Sequence, residues 1–147
     1  MNRNYANGAN WERRLKAELE DFGALVVMRS AGSHGVVDLA ACFVGGAMWL
    51  QVKANGASVN RFEREALRRL GRGLSGGNLV GVITVSKGHR SLQVSEGGIP
   101  RGLVSVLGRM EKAGWNIPIG LTSGIPGGQI RVDEPPEEVE RTERNAK

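Results

Sequence analysis

Ser30-Ala31-Gly32-Ser33-His34-Gly35-Val36-Val37-Asp38-Leu39-Ala40-Ala41-Cys42-Phe43-Val44-Gly45-Gly46-Ala47-Met48-Trp49-Leu50-Gln51-Val52-Lys53 is the stretch on which the reading of this chain turns. Two apolar runs, Val36 to Val44 and Ala47 to Ala54, flank Gly45-Gly46. Such a pattern predicts two strands joined by a hairpin, each run covered on both faces. Gln51 and Lys53 are two apart, so on a strand they share a face. If the turn closes at Gly45-Gly46, Asp38 stands seven residues before it and Gln51 five after it. An acid, an amide and a lysine then meet in an apolar sheet, where polar groups are costly unless paired or used. The ordinary account has Asp38 accepting a hydrogen bond from a nearby turn and Lys53 capping a strand end.

Upstream, Asn7 to Asn10 reads as a polar lead-in. Trp11, Leu15, Leu19 and Phe22 then mark one face of an amphipathic helix that stops at Gly23. Glu12 lies in its first turn, where an acid also suits the helix dipole. Ala24 to Met28 is a first strand, and Arg29 to Gly35 a polar loop.

Downstream, Asn55-Gly56 breaks the pattern, and Ser58 is the expected N-cap of a second helix. Val59, Phe62, Ala66, Leu67 and Leu70 form its expected buried face; Arg61, Arg64, Arg68, Arg69 and Arg72 lie opposite. Leu79 to Val85 is a fourth strand, Lys87 to Arg90 a basic turn, and Ser91 to Ser95 a returning strand. Pro100 opens a third helix with Leu103, Val106, Leu107 and Met110 inward, closed at Gly114. Ile117, Ile119, Ile125, Ile130 and Val132 are spaced for short edge strands in a stretch rich in glycine and proline.

A length of 147 residues suits a single core, placed at residues 1–132. Residues 133–147 hold six acids, three bases and Pro135-Pro136, and read as a disordered acidic tail. The first 132 residues hold nine acids against seventeen bases, a net charge of +8 within the chain's overall +5. A basic domain of this kind favours a polyanionic partner, nucleic acid first. No apolar run reaches the ~18 residues of a membrane span. The opening residues lack an apolar signal core, so the expected location is cytoplasmic. Cys42, the one cysteine, has no internal partner and reads as a small core residue.

Trp-Glu-Arg-Arg-Leu at 11–15, Arg-Ser-Ala-Gly-Ser-His-Gly-Val-Val-Asp-Leu-Ala at 29–40 and Gln-Val-Lys at 51–53 come in an order that resembles the PD-(D/E)xK nuclease superfamily. More narrowly, residues 8–85 resemble the archaeal-type Holliday junction resolvases. The resemblance implies an α/β fold, a twisted mixed β-sheet flanked by helices with a restriction-endonuclease-like core. It also implies a two-fold homodimer acting on branched DNA, the four-way junction. Carried over by residue, Glu12, Asp38 and Gln51 would surround Mg²⁺ (or Mn²⁺), with Lys53 beside them. Ser30 would match the loop serine that supports the cleaved phosphate.

Phosphodiester hydrolysis suits these residue types. Hard oxygen ligands favour Mg²⁺, which activates water and neutralises phosphate charge, and a lysine can offset the charge that develops. DNA contacts are expected from Arg13, Arg29, Ser33 and His34 near the site and from Arg61, Arg64, Arg68, Arg69 and Arg72 on the second helix. The departure is Gln51, where these resolvases carry an acid. Gln-x-Lys occurs in Mrr-type restriction enzymes and transposon end-cleaving nucleases, so Gln51 is either native or an inactivating change. The leading expectation is a magnesium-dependent resolvase that makes paired nicks. The alternatives are a restriction-like or repair endonuclease on duplex DNA, and a catalytically weakened DNA-binding protein.

Overall fold

A computed structural model describes residues 3–30, 35–74, 76–95, 98–118 and 132–133, with side chains from Asn10 to Pro118 within those ranges. The chain runs α1 (Arg3–Asp21), β1 (Val26–Arg29), β2 (Leu39–Phe43), β3 (Gly46–Ala54), α2 (Arg61–Gly73), β4 (Asn78–Ser86), β5 (His89–Val94) and β6 (Ile99–Pro100). A 3₁₀ turn (Arg101–Leu103), α3 (Val104–Lys112) and β7 (Val132–Asp133) follow. Strands β1 to β5 form one sheet in sequence order, antiparallel except for the parallel β3–β4 pair. A parallel pair needs a crossover, and α2 supplies it. The expected mixed sheet flanked by helices is therefore present.

Alternation along the strands sorts the two faces. Leu39, Ala41, Met48, Leu50, Leu79, Ile83 and Val85 join Leu15 and Leu19 of α1 and Leu107 and Met110 of α3 in one buried cluster. Trp11 and Phe22 complete the α1 stripe at partial burial, and Phe22 meets Trp115 edge-on with ring centroids 6.1 Å apart. Arg90 of β5 grips Glu18 of α1 through two nitrogens and lies over the Trp11 ring. These contacts fix the helix that carries Glu12. On the opposite face, Leu67 of α2 is 2% exposed and covers the sheet beside Val82. Gln51 and Lys53 alternate with Leu50 and Val52 and so face α2.

Several local expectations shift. Residues Asn7 to Asn10 lie inside α1 and not in a lead-in before it. Phe43 pairs with Gly46, so the tight turn is Val44-Gly45, one residue earlier than Gly45-Gly46. Strand β2 begins at Leu39 rather than Val36, which leaves Asp38 just outside it. Pro100 opens the short 3₁₀ turn, and α3 follows with Val106, Leu107 and Met110 buried as expected. Ile117 is buried and Val132 pairs with Ile99; Ile119, Ile125, Ile130 and residues 134–147 lie outside the described residues. Cys42 is half-buried with a free thiol. Among the described residues, no helix is long and apolar enough to cross a membrane.

The N-cap of α2 is Asn60, not Ser58. Asn60 Oδ1 accepts from the Glu63 N–H at 2.8 Å, and Glu63 Oε1 accepts from the Asn60 N–H at 3.0 Å. Both Ser58 and Asn60 are good capping residues, but only Asn60 has an acid three positions on to close the box. This frame turns Phe62 outward, 85% exposed, against the expectation of a buried residue. Glu63 takes the sheet-facing place instead, one turn before Ala66 and Leu67.

The hairpin turn is seated by two glycines. A Cβ on Gly45 would lie 2.2 Å from the Gly102 carbonyl oxygen, and one on Gly102 would lie 2.1 Å from that of Gly45. Backbone touches backbone there, so neither position has room for a side chain. Gly102→Ala should lower stability by about 1–3 kcal/mol, read as a lower urea midpoint.

Candidate active site

Asp38 is fixed by the hairpin before its side chain is considered. Its N–H donates to the Leu50 carbonyl at 2.8 Å, and its own carbonyl accepts from the Ser30 N–H at 2.9 Å. The carboxylate then reaches across to β3, where Oδ2 accepts from the Val52 N–H at 2.8 Å. That bond holds the acid between Gln51 and Lys53, the two residues flanking Val52. Burial raises the Asp38 pKa and the Glu63 charge adds to the rise, against the Val52 N–H and Lys53.

Lys53 Nζ lies 3.0 Å from Glu63 Oε2, and both side chains are half-buried. Gln51 is 4% exposed. Its amide donates to the Glu63 carboxylate, while its Oε1 is buried with no hydrogen-bond partner among the described residues. Glu63 titrates below its ordinary value. Burial pushes it up, but the Asn60 N–H, Lys53 and Gln51 together outweigh that push.

Glu12 enters from α1. Its Oε1 lies 3.5 Å from an Arg29 guanidinium nitrogen. Burial raises its pKa, and the Asp38 charge raises it further; Arg29 and Arg13 oppose. The Asp38 charge therefore acts on Glu12, and the Glu63 charge acts on Asp38.

The fold thus draws Glu12, Asp38, Gln51 and Lys53 from α1, the β2 entry and β3 toward one end of the sheet. Ser30 belongs to the same corner through its backbone bond to Asp38. Arg29 stays beside Glu12, whereas Arg13 is exposed and donates to Asn10 at 3.0 Å. Ser33 and His34 lie outside the described residues. On α2, Arg61, Arg64, Arg68, Arg69 and Arg72 are all exposed. Arg68 and Arg69 lie 3.6 and 4.0 Å from Glu65, a contact of the exposed kind that adds little stability.

Glu63 was not among the residues expected at the site. Its signal was present in the sequence as the Asn60-x-x-Glu63 box, which places an acid at the head of the sheet-facing stripe.

Asp38, Glu12, Glu63 and the unpaired Gln51 Oε1 are hard oxygen donors of the kind Mg²⁺ and Mn²⁺ prefer. Among the described residues, no three His, Cys, Asp or Glu side chains are close enough to hold a metal by themselves. The buried amide oxygen is what makes the donor set fit a cation, because it is an acceptor in want of a positive partner.

No protein-family model and no curated protein sequence matches this chain. Among solved structures it is similar to Hjc of Archaeoglobus fulgidus, a Holliday junction resolvase from an archaeal hyperthermophile. The sequences are 23% identical, the TM-score is 0.49, and the match covers 58% of this chain and 70% of that one.

Proposed function

We propose that this protein is a metal-dependent endonuclease that hydrolyses DNA phosphodiesters, with the four-way junction as its substrate. The observation that carries the reading is the Asp38 carboxylate tied to the Val52 N–H, between Lys53 and Gln51 in β3, with the Gln51 Oε1 buried and unpaired among the described residues. Asp38, Gln51 and Glu12 would hold Mg²⁺ or Mn²⁺. Bound there, such an ion supplies water activation and neutralises charge on the phosphate.

The chain's own side chains do the rest. Lys53 presents a cation to the phosphate oxygens as the bond from phosphorus to water forms and the ester bond breaks. Arg29 screens Glu12, so that the two acids do not repel the incoming phosphate unopposed. The exposed arginines of α2 give a sequence-independent hold on the DNA backbone. Two such sites in a homodimer would nick two strands of one junction.

The test compares a four-way junction with a linear duplex of the same sequence, in Mg²⁺ and in EDTA. We expect paired nicks in the junction, at least about tenfold slower cutting of the duplex, and no cutting in EDTA. Equal rates on both DNAs would replace the junction with duplex as the substrate. Absence of cutting in both Mg²⁺ and Mn²⁺ would leave a DNA-binding protein.

A further inference from the structure

We propose that Glu63 is a metal ligand of this site, supplying from α2 the carboxylate that β3 lacks at Gln51. The inference rests on the metal-dependent reading above and deepens it, since it names a residue that neither the motifs nor their spacing assign. It also makes Gln51 a native member of the site and not the mark of an inactivated one.

Three observations converge. Gln51 and Lys53 face α2, and Glu63 opens the α2 stripe that packs toward them, so the helix acid meets the strand amide. The Gln51 amide is oriented by this meeting. Its nitrogen faces the carboxylate, because only the nitrogen can donate, and its oxygen is buried and unpaired among the described residues. A buried acceptor left without a partner is costly, and a cation beside it would remove the cost.

Glu63 is also not needed as an acid by the helix itself. The capping box takes a glutamine at this position as readily as a glutamate. Only Oε1 serves the cap. The second oxygen, Oε2, accepts from Lys53. Lys53 faces two carboxylates there, Asp38 and Glu63. The capping box and the Lys53 pair account for where Glu63 sits but not for the unpaired amide oxygen beside it. An acid and an amide have exchanged places between helix and strand, and the donor set keeps its charge.

The discriminating variant is E63Q, which preserves the cap and the size of the side chain and removes only the charge. Titrating the full chain with Mn²⁺ alone, by calorimetry and without DNA, should show binding that D38N abolishes and E63Q weakens by at least about tenfold. Far-UV circular dichroism of E63Q should match the parent. The exchange variant Q51E/E63Q should recover the parent affinity, because it returns the charge to β3. Parent-like Mn²⁺ affinity in E63Q, with D38N still unable to bind, would overturn the role of Glu63 and leave the nuclease reading standing. An exchange variant no better than E63Q would overturn the exchange of places. No Mn²⁺ binding by the parent would overturn both readings together.

Discussion

Asp38→Asn should reduce junction cleavage by about 10³-fold or more, because several kcal/mol of transition-state stabilisation leave with the metal. Binding of the junction, measured without turnover, should be unchanged or tighter, since one negative charge facing the phosphate is gone. Asparagine can still accept from the Val52 N–H, so the hairpin geometry that places Gln51 and Lys53 is retained. The same substitution carries a stability signature in the metal-free protein. Burial, and secondarily the Glu63 charge, raise the Asp38 pKa in the fold. A raised carboxyl contributes stability that is present below its unfolded pKa and lost as pH rises through the folded value. At neutral pH the ionised Asp38 therefore weighs against the fold, and D38N in EDTA should melt higher than the parent. At acid pH, where Asp38 is protonated in both states, the gap should close. A variant that melts higher and cuts nothing is the expected outcome; full nicking activity in Mg²⁺ would remove Asp38 from the site.

The sheet was legible because its apolar runs obey the simplest rule. A near-continuous run on each side of a glycine pair makes a hairpin, and the helical stripe at Trp11, Leu15 and Leu19 needs that hairpin to bury itself. What escaped the sequence turned on competition between equivalent local signals. Ser58 and Asn60 are both capping residues, and choosing the first went with Phe62 on the buried face and gave Glu63 no place. The choice was decided by the second half of the capping box, Glu63 bonding back to Asn60, which a scan for the cap residue alone does not weigh. Asp38 was legible as the acid beside the hairpin although not as the residue just outside β2. Its partners across the hairpin follow from register, and a turn displaced by one residue still leaves it beside Val52. The relation of Gln51 to Glu63 was not legible at all. It depends on how α2 lies over β3, a tertiary fact with no local code.

Lys53→Ala should lower the cleavage rate by about 10²–10³-fold, the usual loss when one preorganised charge donor is removed from the reacting phosphate. The loss should appear in the rate of the bound complex and not in junction affinity, because the extra negative charge that Lys53 meets exists only as the ester bond breaks. The structure gives this lysine little other work. It sits 3.0 Å from Glu63 and is among the groups that hold the Asp38 and Glu63 pKa values down. It therefore balances two acids in the resting protein. Removing it leaves the α2 cap intact, since Asn60 and Glu63 bond to each other without it. Single-turnover cleavage separates the two roles. A slow rate at saturating protein, with junction affinity in Ca²⁺ near the parent value, assigns Lys53 to the transition state. If affinity falls by the same factor as the rate, Lys53 is instead an anchor for the ground-state phosphate, and the charge that develops during cleavage must be met by Arg29 or by the metal alone.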